Sequence, residues 1–206
     1  DYSGALKLFE EITTSNIANS EVFYEIAQCK SQLGMDGKEI LESLNQAVDR
    51  CPKPLTNISA PYILARGIAL ETSGENRAAL KDYQTYDSLM NYNASPQFYY
   101  TRYKCEVKMR QYQPAINDIS HAIVLNPAEV TYMAELESLQ LKVGKYEDVL
   151  RTFDLSLNVT DNYPDMYILK GVALIQLGRK QEAMEAFQKA ADLGDSRGNE
   201  YQEKYK

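Results

Sequence analysis

The sequence predicts an all-α solenoid of antiparallel helix pairs, on three observations. The segments LKVGKYEDVLRTFDLSL, from Leu141, and IQLGRKQEAMEAFQKAA, from Ile175, place Gly144 and Gly178, Val149 and Ala183, and Phe153 and Phe187 each 34 residues apart. Small and aromatic residues recurring in phase at such a period mark supersecondary units that bury their apolar faces on one another. Within each period the apolar residues stand three and four apart, the stripe of an amphipathic helix. The composition agrees, because 206 residues with 44% hydrophobic content suffice for a sizeable core, here spread along one axis. One elongated array over residues 1–206 is the expectation.

The opening residues 1–19 read as half a repeat, with Tyr2, Ala5, Phe9 and Ile12 in a second-helix pattern and no first helix before them. Residues 20–53 form the first full unit: Phe23, Ala27 and Gly34 belong to its first helix, and Ile40, Leu44 and Ala47 to its second. An extra residue falls in the turn with Gly34, Asp36 and Gly37, where an insertion costs little. The link from Lys53 to Ala60, between Pro54 and Pro61, is the longest connection and the expected bend. In residues 60–93, Gly67, Leu70, Gly74, Ala79 and Tyr83 keep the same offsets, and Ala94 and Ser95 are additional. Residues 96–129 carry Tyr99, Tyr103 and Glu106 on one stripe and Tyr112, Ala115, Ile119 and Ala122 on the other. Pro96 and Pro127 punctuate that unit at places where a missing N–H is tolerated. Residues 130–163 and 164–197 complete the series. Residues 198–206 supply a capping segment, with Tyr201 and Tyr205 one helical turn apart and charge facing outward. The chain begins at Asp1 without methionine, which leaves room upstream for a signal peptide or further repeats.

A formal net charge of -7 argues against nucleic acid and anionic lipid, which reward clustered Lys and Arg, and favours basic or neutral polypeptide partners. Cys29, Cys51 and Cys105 are too few and too scattered for a disulfide framework, and no C-x-x-C pair suggests zinc; they read as small packing residues. No long uncharged apolar run is present, so no membrane span is expected.

With Gly171, Leu174, Gly178, Ala183, Phe187 and Ala190 in order inside a 34-residue helix–turn–helix unit, the chain resembles the tetratricopeptide repeat. The resemblance covers nearly the whole chain. It implies a right-handed superhelix whose concave groove is lined by the first helix of each pair and receives an extended peptide or a partner helix. Two departures stand out: Arg110 occupies a turn-glycine position, and Tyr99, Met133 and Tyr167 replace the tryptophan often found early in the first helix. No three consecutive units reproduce the Lys/Asn/Arg clamp by which some members grip a chaperone's terminal carboxylate; Glu21, Tyr24, Glu25 and Gln28, then Leu64, Ala65 and Ile68, stand there instead. The ending AADLGDSRG is similar to endings of bacterial proteins of this class, so a bacterial periplasm, cell envelope or cytoplasm is the favoured setting.

Groove-facing positions are the first-helix residues left over by the packing stripe. They are Tyr24, Gln28 and Ser31; Leu64, Ile68 and Glu71; Tyr100, Lys104, Val107 and Lys108; Ala134, Ser138, Leu141 and Lys142; and Ile168, Val172 and Ile175. In MYILKGVALIQL the packing residues Tyr167 and Leu174 are opposed by Leu169, Val172 and Ile175, so this helix needs cover on more than one side. A partner, a second copy, or residues 198–206 could supply it, and Ile168, Leu169, Val172 and Ile175 are the expected anchor. Tyr100, Lys104, Lys108 and Lys142 form a positive strip that suits a carboxylate, or that pairs with Glu106 and Glu135. Most of the sixteen tyrosines fall on packing positions; Tyr24, Tyr92 and Tyr100 do not.

Nothing converges on catalysis. His121, the only histidine, is expected on an outer face, paired with Asp118 one turn back. GMDGKEI lacks both Walker spacing and a preceding strand. The acidic residues scatter over what read as solvated faces, without a metal-binding set. Asn57, Asn93 and Asn158 begin glycosylation triplets that matter only in a secretory setting. The expectation is a non-enzymatic scaffold or adaptor that holds a polypeptide, without catalytic, metal or cofactor site. The alternatives are a self-assembling structural array, built through residues 1–12 and the C-terminal face, and an accessory repeat domain of a larger regulator.

Overall fold

A computed structural model of the protein describes residues 1–14 and 18–206. Residues 15–17 of the expected half repeat lie outside the described residues. Among the described residues there are twelve α-helices, one 3-10 turn at Asn57–Ser59 and no strand. The chain falls into two units, residues 1–94 and 95–206.

The first unit contains α1 (Tyr2–Thr13), α2 (Ser20–Gln32), α3 (Gly37–Asp49), α4 (Ala60–Thr72) and α5 (Asn76–Leu89). Asp1 caps α1 by accepting from the Ser3 and Gly4 N–H groups, and Asn19 caps α2 by accepting from Val22 N–H, each satisfying donors that a helix start leaves open. The half-repeat stripe is centred on Leu6, which packs with Ile26 and Cys29 and is flanked by Ala5 and Phe9. Tyr2, expected on that stripe, is instead 53% exposed, because the helix presents Leu6 rather than its first residue to α2. Helices α2 and α3, and α4 and α5, pack as hairpins, and α3 packs on α4.

The second unit contains α6 (Pro96–Lys108), α7 (Tyr112–Leu125), α8 (Val130–Lys142), α9 (Tyr146–Ser156), α10 (Pro164–Gln176), α11 (Lys180–Asp192) and α12 (Ser196–Tyr205). Its hairpins are α6–α7, α8–α9 and α10–α11; α7 packs on α8, α10 on both α8 and α9, and α12 on α11. The short connections leave paired neighbours no choice but to run antiparallel.

Each hairpin turns on the same backbone device. Gly34, Gly74, Gly144 and Gly178 hold φ between 68° and 83°, and the N–H after each glycine reaches back to a carbonyl five residues earlier, as in Glu75 N–H to Leu70 O at 2.8 Å and Arg179 N–H to Leu174 O at 2.9 Å. This is the Schellman closure of a helix end. Arg110 adopts it too, with φ 58° and Gln111 N–H bonded to Glu106 O at 2.9 Å. The turn survives the departure, at the steric cost of a side chain in the left-handed region.

Where the two helices of a hairpin cross, small residues permit close approach. A Cβ on Gly171 would stand 2.3 Å from Phe187 Cε1, and one on Gly67 2.8 Å from Tyr83 Cε1. At the intervening equivalents of the period stand Tyr103 and Glu137. Glu137 has no exposed surface and neither carboxyl oxygen has a hydrogen-bond partner. Burial, with Asp165 adding and Lys170 opposing, pushes its pKa up to about 9, so it is a neutral acid inside the unit.

Apart from Glu106, which the helical stripe already placed inside, several acids leave the solvated faces on which they were expected. Asp82, Asp87, Glu106, Asp118 and Glu137 are all buried. Two are held by arginines across a hairpin: Arg66 Nε and Nη2 donate to Asp82 at 2.7 and 2.7 Å, and Arg102 Nε and Nη2 donate to Asp118 at 2.6 and 2.8 Å. Such planar, two-point pairs make burial of the carboxylate tolerable. Glu106, beside Asp118, is pushed upward by burial and by that carboxylate, with Arg102 opposing.

Replacing Arg110 by glycine removes the left-handed strain and adds some unfolded-chain entropy, so a net gain of about 0.5–1 kcal/mol is expected. A rise in melting temperature of roughly 1–4 °C is the corresponding readout; an unchanged or lower midpoint contradicts the turn analysis. For Glu137, the raised folded pKa means that its stability contribution is intact below the unfolded value of 4.5 and is eroded as pH climbs toward about 9. Glu137→Met should therefore stabilise the protein by roughly 2–4 kcal/mol at pH 7.5. Most of that gain should be absent at pH 5, as urea titrations at both values will tell.

Candidate functional site

Four of the six sequence-assigned groove positions of the first unit line one cavity, while Leu64 borders another and Glu71 accepts from the Tyr83 hydroxyl. Tyr24, Ala27, Gln28 and Ser31 of α2, Ile40 and Leu44 of α3, and Ala65, Ile68, Ala69 and Thr72 of α4 line a recess of about 320 Å3, with Gly37 and Ser73 at its edge. Small side chains at Ala27, Ala65 and Ala69, on facing helices, leave this volume unfilled. Ile68 is 46% exposed and Gln28 is exposed, while Tyr24 is half-buried with its ring edge-on to Tyr62 at 5.2 Å. Burial pushes the Tyr62 hydroxyl upward, and the Glu21 and Glu25 carboxylates add to that; both acids stand on α2 within one turn of Tyr24. Two cations on these helices turn elsewhere: Lys30 Nζ donates to Ser43 Oγ of α3 at 3.1 Å and to Glu39 O at 3.4 Å, and Arg66 is bound to Asp82; the third, Lys38, is exposed beside Gly37.

In the second unit the expected positive strip is rearranged. Lys104 Nζ lies 4.9 Å from the Tyr100 ring centroid and Lys142 Nζ 5.2 Å from that of Tyr112, so cation–π contact takes the place of the expected pairing with Glu106 and Glu135. Glu106 is buried, and Glu135 accepts from the Tyr103 hydroxyl at 2.9 Å. Tyr100 is half-buried between Tyr132, at 4.9 Å, and Tyr103, at 5.8 Å. Lys104 and Lys108 are both exposed on α6.

The expected C-terminal anchor needs a correction. Ile168 is only 4% exposed and belongs to the core with Leu174, Ala183, Phe187 and Ala190. Val172 and Ile175 are half-buried against that cluster, and so are Tyr201 and Tyr205 of α12; Leu169 is half-buried on the same helix. The Tyr201 and Tyr205 rings stack on Phe187 at 5.0 and 6.2 Å. Arg197, at the start of α12, pairs with Asp165 at the start of α10. Of the three covers the sequence allows, the chain's own C-terminal helix is therefore present.

His121 is exposed, as expected, but its ring stacks on Tyr99 at 4.2 Å while Asp118 is taken by Arg102. Cys29, Cys51 and Cys105 are buried free thiols. Tyr92 is 69% exposed. Asn57, Asn93 and Asn158 are exposed. No helix among the described residues is long and apolar enough to cross a membrane.

Two features escaped the sequence reading. The Arg66–Asp82 and Arg102–Asp118 pairs share a spacing of 16 residues and recur 36 apart, a signal available from the sequence had charged residues been phased like the apolar ones. The ends of α7 and α9 expose Val124, Leu125, Leu155, Leu157 and Val159; Leu125 and Val159 are one 34-residue period apart.

The family model of the tetratricopeptide repeat matches residues 164–193. The chain is 24% identical over 193 residues to the BBSome complex member BBS4 of Bos taurus, an alignment covering 94% of this chain and 36% of that protein. The chain thus spans about a third of that relative's length. Among solved structures it is similar to YrrB, described as a TPR protein with an unusual peptide-binding site, at TM-score 0.76 and 16% identity over 95% of this chain and 97% of the other. A crystal structure of MamA protein aligns at TM-score 0.71 and 18% identity over 84% of this chain and 91% of that one. At such identities the likeness is one of fold.

If Tyr201 and Tyr205 cover the α10–α11 face, Tyr201→Ala combined with Tyr205→Ala should lower stability by roughly 3 kcal/mol or more. Binding of an apolar dye should rise in native buffer. A variant as stable and as dye-silent as the parent would show that α12 is not the cover.

Proposed function

We propose that this chain, a tetratricopeptide-repeat protein, is a non-enzymatic scaffold that captures a polypeptide partner on the first-helix faces of its repeats. The observation that carries this reading is the recess between α2, α3 and α4. It opens where the resemblance and the helical stripe led Tyr24, Gln28, Ser31 and Ile68 to be expected to face a ligand, and it exposes apolar surface with polar groups at its margin. Partner sites combine those two properties. A solved neighbour of the same fold is described as having a peptide-binding site, and the curated relative is a member of a complex; both fit a scaffold.

Tyr100, Lys104 and Lys108 form a second contact region in this proposal, with Lys142 beside it. Leu169, Val172 and Ile175 enter only as a margin, since their cluster is packed by α12. Residues 1–206 act as one array in the proposal, and the net charge of -7 directs it toward protein rather than nucleic acid.

Affinity purification of the parent and of Ile68→Glu, followed by mass spectrometry, tests the reading. The parent should retain one or a few partners that the variant loses by about tenfold or more, while helicity and melting temperature stay the same. Identical partner profiles from two equally folded proteins would overturn it.

A further inference from the structure

We infer that the recess between α2, α3 and α4 receives one aliphatic or aromatic side chain from a partner segment that carries lysine or arginine beside it. This rests on the scaffold reading and names the partner's chemistry.

The volume comes first. At about 320 Å3 the recess lies at the small end of ligand sites, which run from about 300 to 1,000 Å3. It has room for a single large side chain and little else. Its walls are the methyl and methylene groups of Ala27, Ile40, Leu44, Ala65, Ile68 and Ala69, which offer no buried charge for a polar group to pair with. A charged or amide side chain placed there would lose its hydration without compensation.

The charge around the recess then selects the neighbours of that side chain. Residues 1–94 hold thirteen Asp and Glu against eight Lys and Arg. Glu21 and Glu25 act on the Tyr62 hydroxyl, whose ring meets Tyr24 on the wall of the recess. On α4, Glu71 directly precedes the lining residue Thr72 and accepts from the Tyr83 hydroxyl. Of the three cations that α2, α3 and α4 carry, Lys30 and Arg66 are engaged with α3 and α5, and the exposed Lys38 directly follows the edge residue Gly37. The rim of the recess therefore sets Glu21, Glu25 and Glu71 against Lys38, a net anionic edge, while its floor is apolar. A segment with an apolar anchor between basic residues matches both, and an acidic segment is repelled.

The test uses the full chain and labelled synthetic dodecapeptides, read by fluorescence anisotropy. One peptide has a central leucine between lysine pairs, a second replaces that leucine by alanine, and a third replaces the lysines by glutamates. The first should bind about tenfold or more tighter than either other peptide, and should weaken several-fold between about 50 and 300 mM salt. Ala69→Phe, which fills the recess, should weaken it by about tenfold; Ala65→Leu provides the same test where the larger ring prevents folding, as judged by circular dichroism. Equal binding of the glutamate peptide, or no loss in both filled variants, overturns the inference. Peptides selected from a random phage library on the parent separate the two levels. Selected sequences that need Ile68 but lack an apolar–basic pattern defeat this inference and leave the scaffold standing, whereas failure to select any sequence counts against both.

Discussion

Everything else in this molecule depends on how each helix is made to turn back on its partner. A left-handed residue ends the first helix, a reverse hydrogen bond of about 2.9 Å locks the end, and the next helix starts within a few residues. With the turn fixed, the length of a unit is fixed, and with the length fixed the same side of every first helix faces the same way within a unit. Arg110 shows that the bonding pattern, rather than glycine itself, is the requirement: the hairpin of α6 and α7 closes like the others although its left-handed residue carries a side chain. The glycine-to-ring contacts at Gly67 and Gly171 then set how near two helices come, and therefore how much surface a hairpin can bury.

Against that frame the interior is less uniform than the repeat suggests. Two hairpins tie their helices with an arginine–aspartate fork, α8–α9 uses a Thr152–Gln140 hydrogen bond of 3.0 Å and a buried neutral acid, and α10–α11 uses a plain apolar cluster. At the places held by Arg66–Asp82 and Arg102–Asp118 stand Leu136 and Thr152 in α8–α9, and Lys170 and Ala186 in α10–α11. In the first unit the fork directs Arg66 to Asp82, so that Glu21, Glu25 and Glu71 outnumber Lys38 around the recess.

The fold was legible because its determinants are local and periodic. Phe153 and Phe187, or Gly144 and Gly178, announce themselves at 34 residues, and the stripes of Tyr99, Tyr103 and Glu106 needed only helical spacing to be placed inside. Of the groove positions of the first unit, Tyr24, Gln28, Ser31 and Ile68 stand around one recess, and Leu64 and Glu71 do not. What was not legible was long-range or depended on pairing. Ile168 looked available because nothing in its own helix reveals that α12 packs on the same cluster. Asp118 was assigned to the histidine one turn away, whereas its partner is an arginine 16 residues earlier. Glu137 read as a surface acid because hydropathy patterns put charge in water, and only packing shows a carboxyl that must give up its charge to stay inside.

The tyrosine-rich interior has one more consequence. The chain has sixteen tyrosines and no tryptophan, and pairs such as Tyr24–Tyr62, Tyr100–Tyr132 and Tyr201–Tyr205 hold their rings in defined mutual orientations. Rings fixed in a chiral setting are optically active in the near ultraviolet, so the molecule brings its own chromophores for following events in each unit. A single indole placed by mutation would have no native counterpart to confuse its emission, which makes every position in the array separately addressable by light.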